Sequence, residues 1–327
     1  MRPFKYNRPL DLATASNAGT SGSFIAGGTN LLDLMKCDVE QPSQLVDLNH
    51  LGLGSISETA DGGLELGALA TNTTTAYHPI VQERYPILSR AILAGASPQL
   101  RNKATNGGNL LQRTRCPYFF DTDSPCNKRV PGSGCPAKEG YSKLHAILGA
   151  SDSCIATHPS DMCVALRALD ATIRVSGPHG ERRIEFADFH RLPGDQPEIE
   201  TSLEKGEVIT AILLPADGFA DNFAYFKVRE RASYAFALVS VAAVARLEGN
   251  QLKEGRVALG GVAAKPWRDL EAESLLCDQP CNAETFGNFA DALLQSAKTY
   301  PGNRFKVPMA RAAIVRALSE ATHLNQL

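Results

Sequence analysis

Between residues 113 and 157 the chain loses every hydrophobic period, helical or extended, and places Cys116, Cys126, Cys135 and Cys154 in that stretch. An irregular segment of such length inside a compact domain is ordinarily functional or disordered. Apolar burial offers it little against a backbone ordering cost of ~1–2 kcal/mol per residue, so something besides packing is expected to hold it. The spacing is Cys116-x9-Cys126-x8-Cys135-x18-Cys154, with a proline after Cys116 and after Cys135. Soft thiolates on a loop suit zinc or an iron–sulfur cluster. Structural zinc favours short C-x2–4-C knuckles, which are absent, whereas widely spaced cysteines wrap a larger object and favour [4Fe–4S]. Disulfides and free thiols stay open as alternatives, although a chain of 327 residues needs no such staples to build a core. Cys163, in MCVAL, reads as packing, and Cys37, Cys277 and Cys281 have no evident partners.

The rest of the chain is regular. A short strand at Phe24–Ala26 leads through Gly27-Gly28 to a helix carrying Leu31, Leu32, Leu34 and Met35, with Thr29 or Asn30 as its cap. Strands are expected at 45–48 and 64–69, a helix at 81–96, a helix from about Asp161 and a strand at 171–175. The polar DGFADNF (217–223) reads as a domain boundary. After it come strands at 225–231 and 237–247, a strand and turn at 256–268, and helices at about 284–298 and 308–321. Lys+Arg 33 against Asp+Glu 35 gives a net charge of −2, which argues against a phosphate-neutralising nucleic-acid binder. The longest apolar run, 234–245, is 12 residues, too short for the ~20 that span a bilayer. The opening MRPFKYNRPLD does not have the pattern of a secretion signal.

Two segments, AGGTN (26–30) and TNGGN (105–109), set paired glycines beside hydroxyl and amide side chains. Such loops let main-chain N–H groups converge on phosphate, and two in one domain suggest a diphosphate held from two sides; each alone is also an ordinary tight turn. Neither fits G-x-G-x-x-G or the P-loop. Ser160-Asp161 opens a helix and reads either as a plain N-cap or as a pair that also bonds cofactor atoms. Lys227 and Tyr234 read on local grounds as a solvated strand residue and a core aromatic. No nucleophile–His–acid set is present, and a chain that binds a redox cofactor need not supply one, so no catalytic residue is assigned.

Taken in order, AGGTNLLDLMK, GALATNTT, LRNKATNGGNLLQ, HPSDMCVALRALDA, KVRERASYAFALVSVAAV and VALGGVAAKPWR resemble the FAD-binding subunits of molybdenum hydroxylases across nearly the whole chain. The resemblance implies an α+β fold: a two-part FAD-binding domain of the vanillyl-alcohol-oxidase (PCMH) type over 1–220, and an α/β CO-dehydrogenase-flavoprotein-like domain over 221–327. By the same resemblance, FAD is bound by Ala26, Gly27, Gly28, Thr29, Asn30 and Leu31, by Ala104, Thr105, Gly107, Gly108 and Asn109, and by Ser160, Asp161, Leu192, Lys227 and Tyr234. Residues 110–159 lengthen the usual linker between the second glycine loop and the Ser-Asp pair. That insertion, cysteine-rich at about 113–157, resembles those of 4-hydroxybenzoyl-CoA reductase and, most of all, bacterial periplasmic aldehyde oxidoreductases. It implies a [4Fe–4S] cluster on Cys116, Cys126, Cys135 and Cys154.

The implied function is electron transfer within a molybdenum-containing aldehyde oxidoreductase complex. A large subunit with the molybdenum cofactor and a small subunit with two [2Fe–2S] clusters would deliver electrons to FAD on this chain, and an external acceptor would take them. Neither nucleic acid nor a membrane span is expected. Location is expected to be periplasmic, by co-export on a partner's twin-arginine signal, or else cytoplasmic. Alternatives are the FAD subunit of a 4-hydroxybenzoyl-CoA reductase-like or xanthine dehydrogenase-like enzyme, an autonomous flavin oxidase, and a non-catalytic zinc-binding module.

Overall fold

The computed structural model describes residues 1–324, which form three sheets and the helices that cover them. Strands β1 (Lys5–Asn7), β2 (Ser23–Ile25) and β3 (Gln44–Asp47) pair in parallel in the order β1-β3-β2, Leu45 lying opposite both Tyr6 and Ser23. Parallel neighbours need crossovers, which the helices Leu12–Gly19 and Leu31–Lys36 supply. Asp11 fixes the start of the first, accepting from the Thr14 N–H at 2.7 Å.

The second sheet holds β4 (Ile56–Glu58), β5 (Leu64–Gly67), β6 (Thr172–Gly177), β7 (Gly180–Glu185) and β8 (Val208–Leu214), antiparallel throughout in the order β4-β5-β8-β6-β7. Between β5 and β6 the chain leaves the sheet to build the second glycine loop, the cysteine insertion and the helix Asp161–Ala168. The helix expected at 81–96 is two helices, Pro79–Arg84 and Pro86–Ala94. Pro86 disfavours helical backbone at the residue before it, and Tyr85 sits at φ −129°, ψ 49°.

The third sheet runs β12-β11-β10-β9, antiparallel, from β9 (Phe223–Val228), β10 (Val239–Glu248), β11 (Gln251–Gly260) and β12 (Gln279–Pro280). Residues 239–245 of the apolar run seen in the sequence lie in β10 and are buried on both faces. Val239, Val241 and Ala243 face one core with the helices Ala283–Leu293 and Lys306–Ala321, while Ala242 and Val244 face the core that holds Leu64, Leu88 and Leu166. A strand sandwiched in this way reads as continuous hydrophobicity rather than alternation. The helix Asp161–Ala168 is buried on all sides for the same reason. The architecture is the α+β fold expected from the sequence. Among the described residues no helix is long and apolar enough to cross a membrane.

The insertion is irregular, holding only the short helix Pro117–Phe120 and a 3-10 turn at Pro136–Lys138, yet it is densely tied. The Arg129 guanidinium donates to the carbonyls of Tyr118, Phe119 and Asp121 at 2.8–2.9 Å. Asn127 bridges Gly134 and Ser153, the Tyr118 hydroxyl accepts from the Tyr141 N–H, and the buried Lys128 ammonium donates to the Pro197 carbonyl. Side-chain bonds to backbone groups thus take the place of the missing apolar period.

Candidate cofactor-binding site

The first glycine loop joins β2 to the helix Leu31–Lys36. Gly28 has φ +72°, a left-handed backbone that favours glycine, and a Cβ there would meet Leu32 at 2.9 Å. Among the described residues no backbone carbonyl accepts from the N–H groups of Gly27, Gly28, Thr29 or Asn30. The loop therefore presents a run of free donors. Asn30 does not cap its helix; its Oδ1 accepts from the Arg113 N–H at 2.8 Å, and its Nδ2 is buried with no partner.

The second loop is built differently. Asn106 N–H donates to Ala70, Gly107 N–H to Ala68, Gly108 N–H to the Thr105 hydroxyl and Asn109 N–H to the Thr105 carbonyl. Its donors are spent on the fold, so the two loops do not offer N–H groups from two sides. What this loop offers is close approach and side chains. The nearest atom to a Cβ at Gly108 would be the Thr105 hydroxyl, at 3.0 Å, with nothing else within 4 Å. Asn109 donates to Asn72 at 2.7 Å and accepts from the Ser160 hydroxyl at 2.5 Å.

Two cavities flank these loops, of about 270 Å³ and about 560 Å³, and Thr29, Asn30 and Gly108 line both. The smaller also touches Ala26, Gly27, Gly28, Leu31, Thr105 and Gly107. The larger takes in Ala104, Asn109, Ser160, Asp161, Lys227 and Tyr234. Two chambers meeting at free N–H groups suit an elongated ligand with an anionic middle. Leu192 lines neither chamber; it packs toward Gly149 beside Trp267.

In the larger chamber Ser160 caps its helix, accepting from the Cys163 N–H at 3.1 Å. Asp161 Oδ2 accepts from the Lys227 ammonium at 2.8 Å and Oδ1 from the Tyr225 hydroxyl at 2.6 Å. Lys227 also donates to the Ala94 carbonyl at 3.1 Å. The Lys227 and Asp161 side chains are only 4% and 8% exposed, so Lys227 is a buried ion-pair partner rather than a solvated strand residue. Burial, with the Asp161 carboxylate beside it, raises the Tyr225 phenol well above its ordinary value. Tyr234 is not core: it is 55% exposed at φ +51°, with the Arg231 guanidinium 5.6 Å from its ring. The sequence reading missed Asn72, Arg115, Tyr225 and Phe236. Tyr225 shares a strand face with Lys227 by alternation, a signal the sequence did carry; the Arg115 guanidinium lies 4.9 Å from the Phe236 ring, which no local pattern announces.

Within the cysteine insertion, His145 Nε2 lies 3.1 Å from Cys116 Sγ. Burial and Lys306 push His145 down to about 4, and burial pushes His190 to about 4. Both rings stay neutral in the fold while the unfolded chain protonates near pH 6.5. Stability is therefore complete above about pH 6.5 and falls as pH drops toward 4, by up to about 3 kcal/mol per ring. The urea midpoint is expected to be lower at pH 4.5 than at pH 7, and the drop to shrink in His190→Phe, whose ring suits a site between Phe186 and Phe189. Equal drops in wild type and variant would reject this account of His190.

Residues 2–217 match the family described as the FAD binding domain in molybdopterin dehydrogenase, and residues 224–321 match the CO dehydrogenase flavoprotein C-terminal domain. The chain is 52% identical over 325 residues to the aldehyde oxidoreductase FAD-binding subunit PaoB of Escherichia coli K12, covering 98% of this chain and 99% of that one. It is 29% identical to the glyceraldehyde dehydrogenase medium chain of Sulfolobus acidocaldarius, over 81% of this chain and 77% of that one. Among solved structures, a chain of the carbon monoxide dehydrogenase of Hydrogenophaga pseudoflava superposes with a TM-score of 0.76 at 27% identity, covering 98% of both chains. The chain belongs to the FAD-binding subunits of the molybdenum hydroxylases, as a FAD-dependent oxidoreductase subunit of the aldehyde oxidoreductase and xanthine dehydrogenase family.

Proposed function

We propose that this chain is the FAD-binding electron-transfer subunit of a molybdenum-containing aldehyde oxidoreductase. The observation that carries the reading is the 52% identity to PaoB, end to end, by a chain whose two cavities meet at unpaired N–H donors. The two chambers would take FAD, with the N–H groups of Gly27–Asn30 and the unpartnered Asn30 amide holding its diphosphate and Gly108 leaving room for it. Ser160, Asp161, Lys227 and Tyr234 would hold its flavin half. Bound FAD supplies the hydride and single-electron chemistry; these residues bind and orient it. The assembly is a large molybdenum-cofactor subunit, a small subunit with two [2Fe–2S] clusters, and this chain, which passes electrons to an external acceptor. Its place is the periplasm, reached with a partner that carries a twin-arginine signal; a cell fractionation that leaves the complex in the cytoplasm rejects that placement.

Cys116, Cys126, Cys135 and Cys154 are proposed to hold one [4Fe–4S] cluster. Three of the four are buried, with Phe119, Ala137, Ile155 and Ala156 around them. Backbone N–H groups of Tyr118 and Phe119 lie toward Cys116, those of Ala137 and Ile155 toward Cys135, and that of Ala156 toward Cys154, the donors a metal-bound thiolate uses. A single zinc would need sulfurs about 3.8 Å apart. Among the described residues no three of these sulfurs lie within 4.8 Å of one another, which favours the larger cluster over zinc.

The test is reduction of the flavin by aldehyde. Co-expressed with its partner subunits, the chain is expected to lose its oxidised-flavin absorbance on adding an aldehyde, whereas the isolated chain is not. A complex carrying Gly108→Val, which sends a branched side chain into the junction of the chambers, is expected to assemble with less than a tenth of the FAD. Bleaching of the isolated chain would point to an autonomous oxidase; full FAD in Gly108→Val would reject the placement.

A further inference from the structure

Three side chains outside both the flavin chambers and the cysteine cluster converge in the core beside the insertion. The ligating atoms of His158, Cys163 and His190 all lie within 4.8 Å of one another. Each of the two imidazoles also carries a buried nitrogen with no partner. His190, 3% exposed, donates from Nε2 to the Leu110 carbonyl at 2.8 Å, which fixes its tautomer and leaves a lone pair on Nδ1; that nitrogen is buried with no partner. His158 Nε2 is buried without a partner as well. The two rings stand 4.3 Å apart between centroids. A buried polar atom with nothing to bond is rare in native folds and calls for an explanation.

We propose that His158, His190 and Cys163 form a zinc site. Two imidazole nitrogens and one thiolate are the donor types that zinc takes in tetrahedral sites, at about 2.0–2.1 Å for nitrogen and about 2.3 Å for sulfur. With Nε2 of His190 on the Leu110 carbonyl, Nδ1 is the nitrogen left for the ion, and such a bond on the other ring nitrogen is the support that metal-bound histidines ordinarily carry. Closing the three atoms onto one ion needs a contraction of about 1 Å or less from their present spread. His158 precedes Pro159 and its own N–H donates to the Ala263 carbonyl at 3.0 Å, so its backbone is fixed. Cys163 sits in the first turn of the buried helix that Ser160 caps.

Both rings line a cavity of about 280 Å³, which gives an ion its way in and water as a fourth ligand. Glu198 and Glu200 line it too and offset the positive charge of Lys128 and Arg113. Binding displaces one proton: the Cys163 S–H bond breaks, a zinc–sulfur bond forms, and the proton leaves to solvent, with no change of oxidation state. The site would pin the helix start at Ser160-Asp161 to the segment after the helix Phe186–Phe189, behind the flavin chamber.

The experiment uses the full chain, iron-loaded, stripped of loosely held metal with a chelator and dialysed against zinc alone. Wild type is expected to retain one zinc per chain. Cys163→Ala, a small change in a packed core, and His190→Phe are each expected to lose it, with zinc affinity down at least tenfold and iron and flavin content unchanged. Should either variant fail to fold, cobalt in place of zinc reads the iron-loaded wild type directly: a thiolate-to-cobalt absorption band supports the site, and its absence overturns it. Wild type that keeps no zinc overturns it, and so does zinc that survives Cys163→Ala but is lost in Cys116→Ser, which would place the ion in the cysteine loop.

Discussion

Replacing any one of Cys116, Cys126, Cys135 or Cys154 with serine is expected to remove essentially all cluster iron from the chain, about four atoms' worth, while Cys163→Ser leaves iron untouched. Burial pushes the Cys116 thiol up to about 12 and the Cys154 thiol to about 11, so neither ionises by itself at neutral pH and bound metal must displace their protons. Losing one thiolate leaves three and a hydroxyl, too hard a ligand for the same hold. The insertion is nevertheless expected to stay folded at moderate temperature. Arg129, Asn127 and Tyr118 tie it internally, and the Lys306 ammonium, fully buried, donates to the His145 carbonyl at 2.9 Å and the Gly261 carbonyl at 2.7 Å. Iron analysis and limited proteolysis separate the two effects. Iron kept in all four serine variants would reject the cluster. Immediate cleavage between 113 and 157 in the iron-free variants would show that these polar ties do not suffice.

The second large effect is expected at Lys227. Lys227→Met removes the cation from a buried pair and leaves the Asp161 carboxylate with the Tyr225 hydroxyl alone, a loss of about 3–5 kcal/mol. Adding Asp161→Asn removes the stranded charge and is expected to recover most of it, since the pair itself is worth far less than the penalty for breaking it. Chemical denaturation of the two single variants and the double variant measures that coupling; a loss below about 1 kcal/mol in Lys227→Met would show that solvent reaches the carboxylate. The same variant is expected to lower the flavin potential, because a cation beside the ring favours the anionic reduced form. The shift is expected to be smaller than for a free ammonium, since Asp161 already neutralises the charge. An unchanged potential would move Lys227 from tuning the flavin to joining β9 to the helix Asp161–Ala168.

Much of this was legible along the chain because it rests on local chemistry. The glycine pairs, the Ser160 cap, the long apolar strand and the two C-terminal helices follow from backbone freedom, capping and periodicity, each settled within a few residues. Fifteen of the residues assigned by resemblance line the two chambers, and their order in the sequence was enough to find them. What the sequence could not determine depends on partners far away. The second glycine loop looks like a second set of donors, yet its N–H groups bond Ala68, Ala70 and Thr105, and only the meeting of that loop with the second sheet decides this. Lys227 reads as solvated until Asp161, 66 residues earlier, is folded against it. Leu192 falls outside both chambers because the chain after the helix Phe186–Phe189 packs toward Gly149. Two histidines and a cysteine that are unremarkable in sequence come within 4.8 Å of one another only through the fold. Local chemistry fixes which groups a segment carries; tertiary contact fixes which of those groups remain free to act, because a buried donor or acceptor must find a partner wherever the fold provides one.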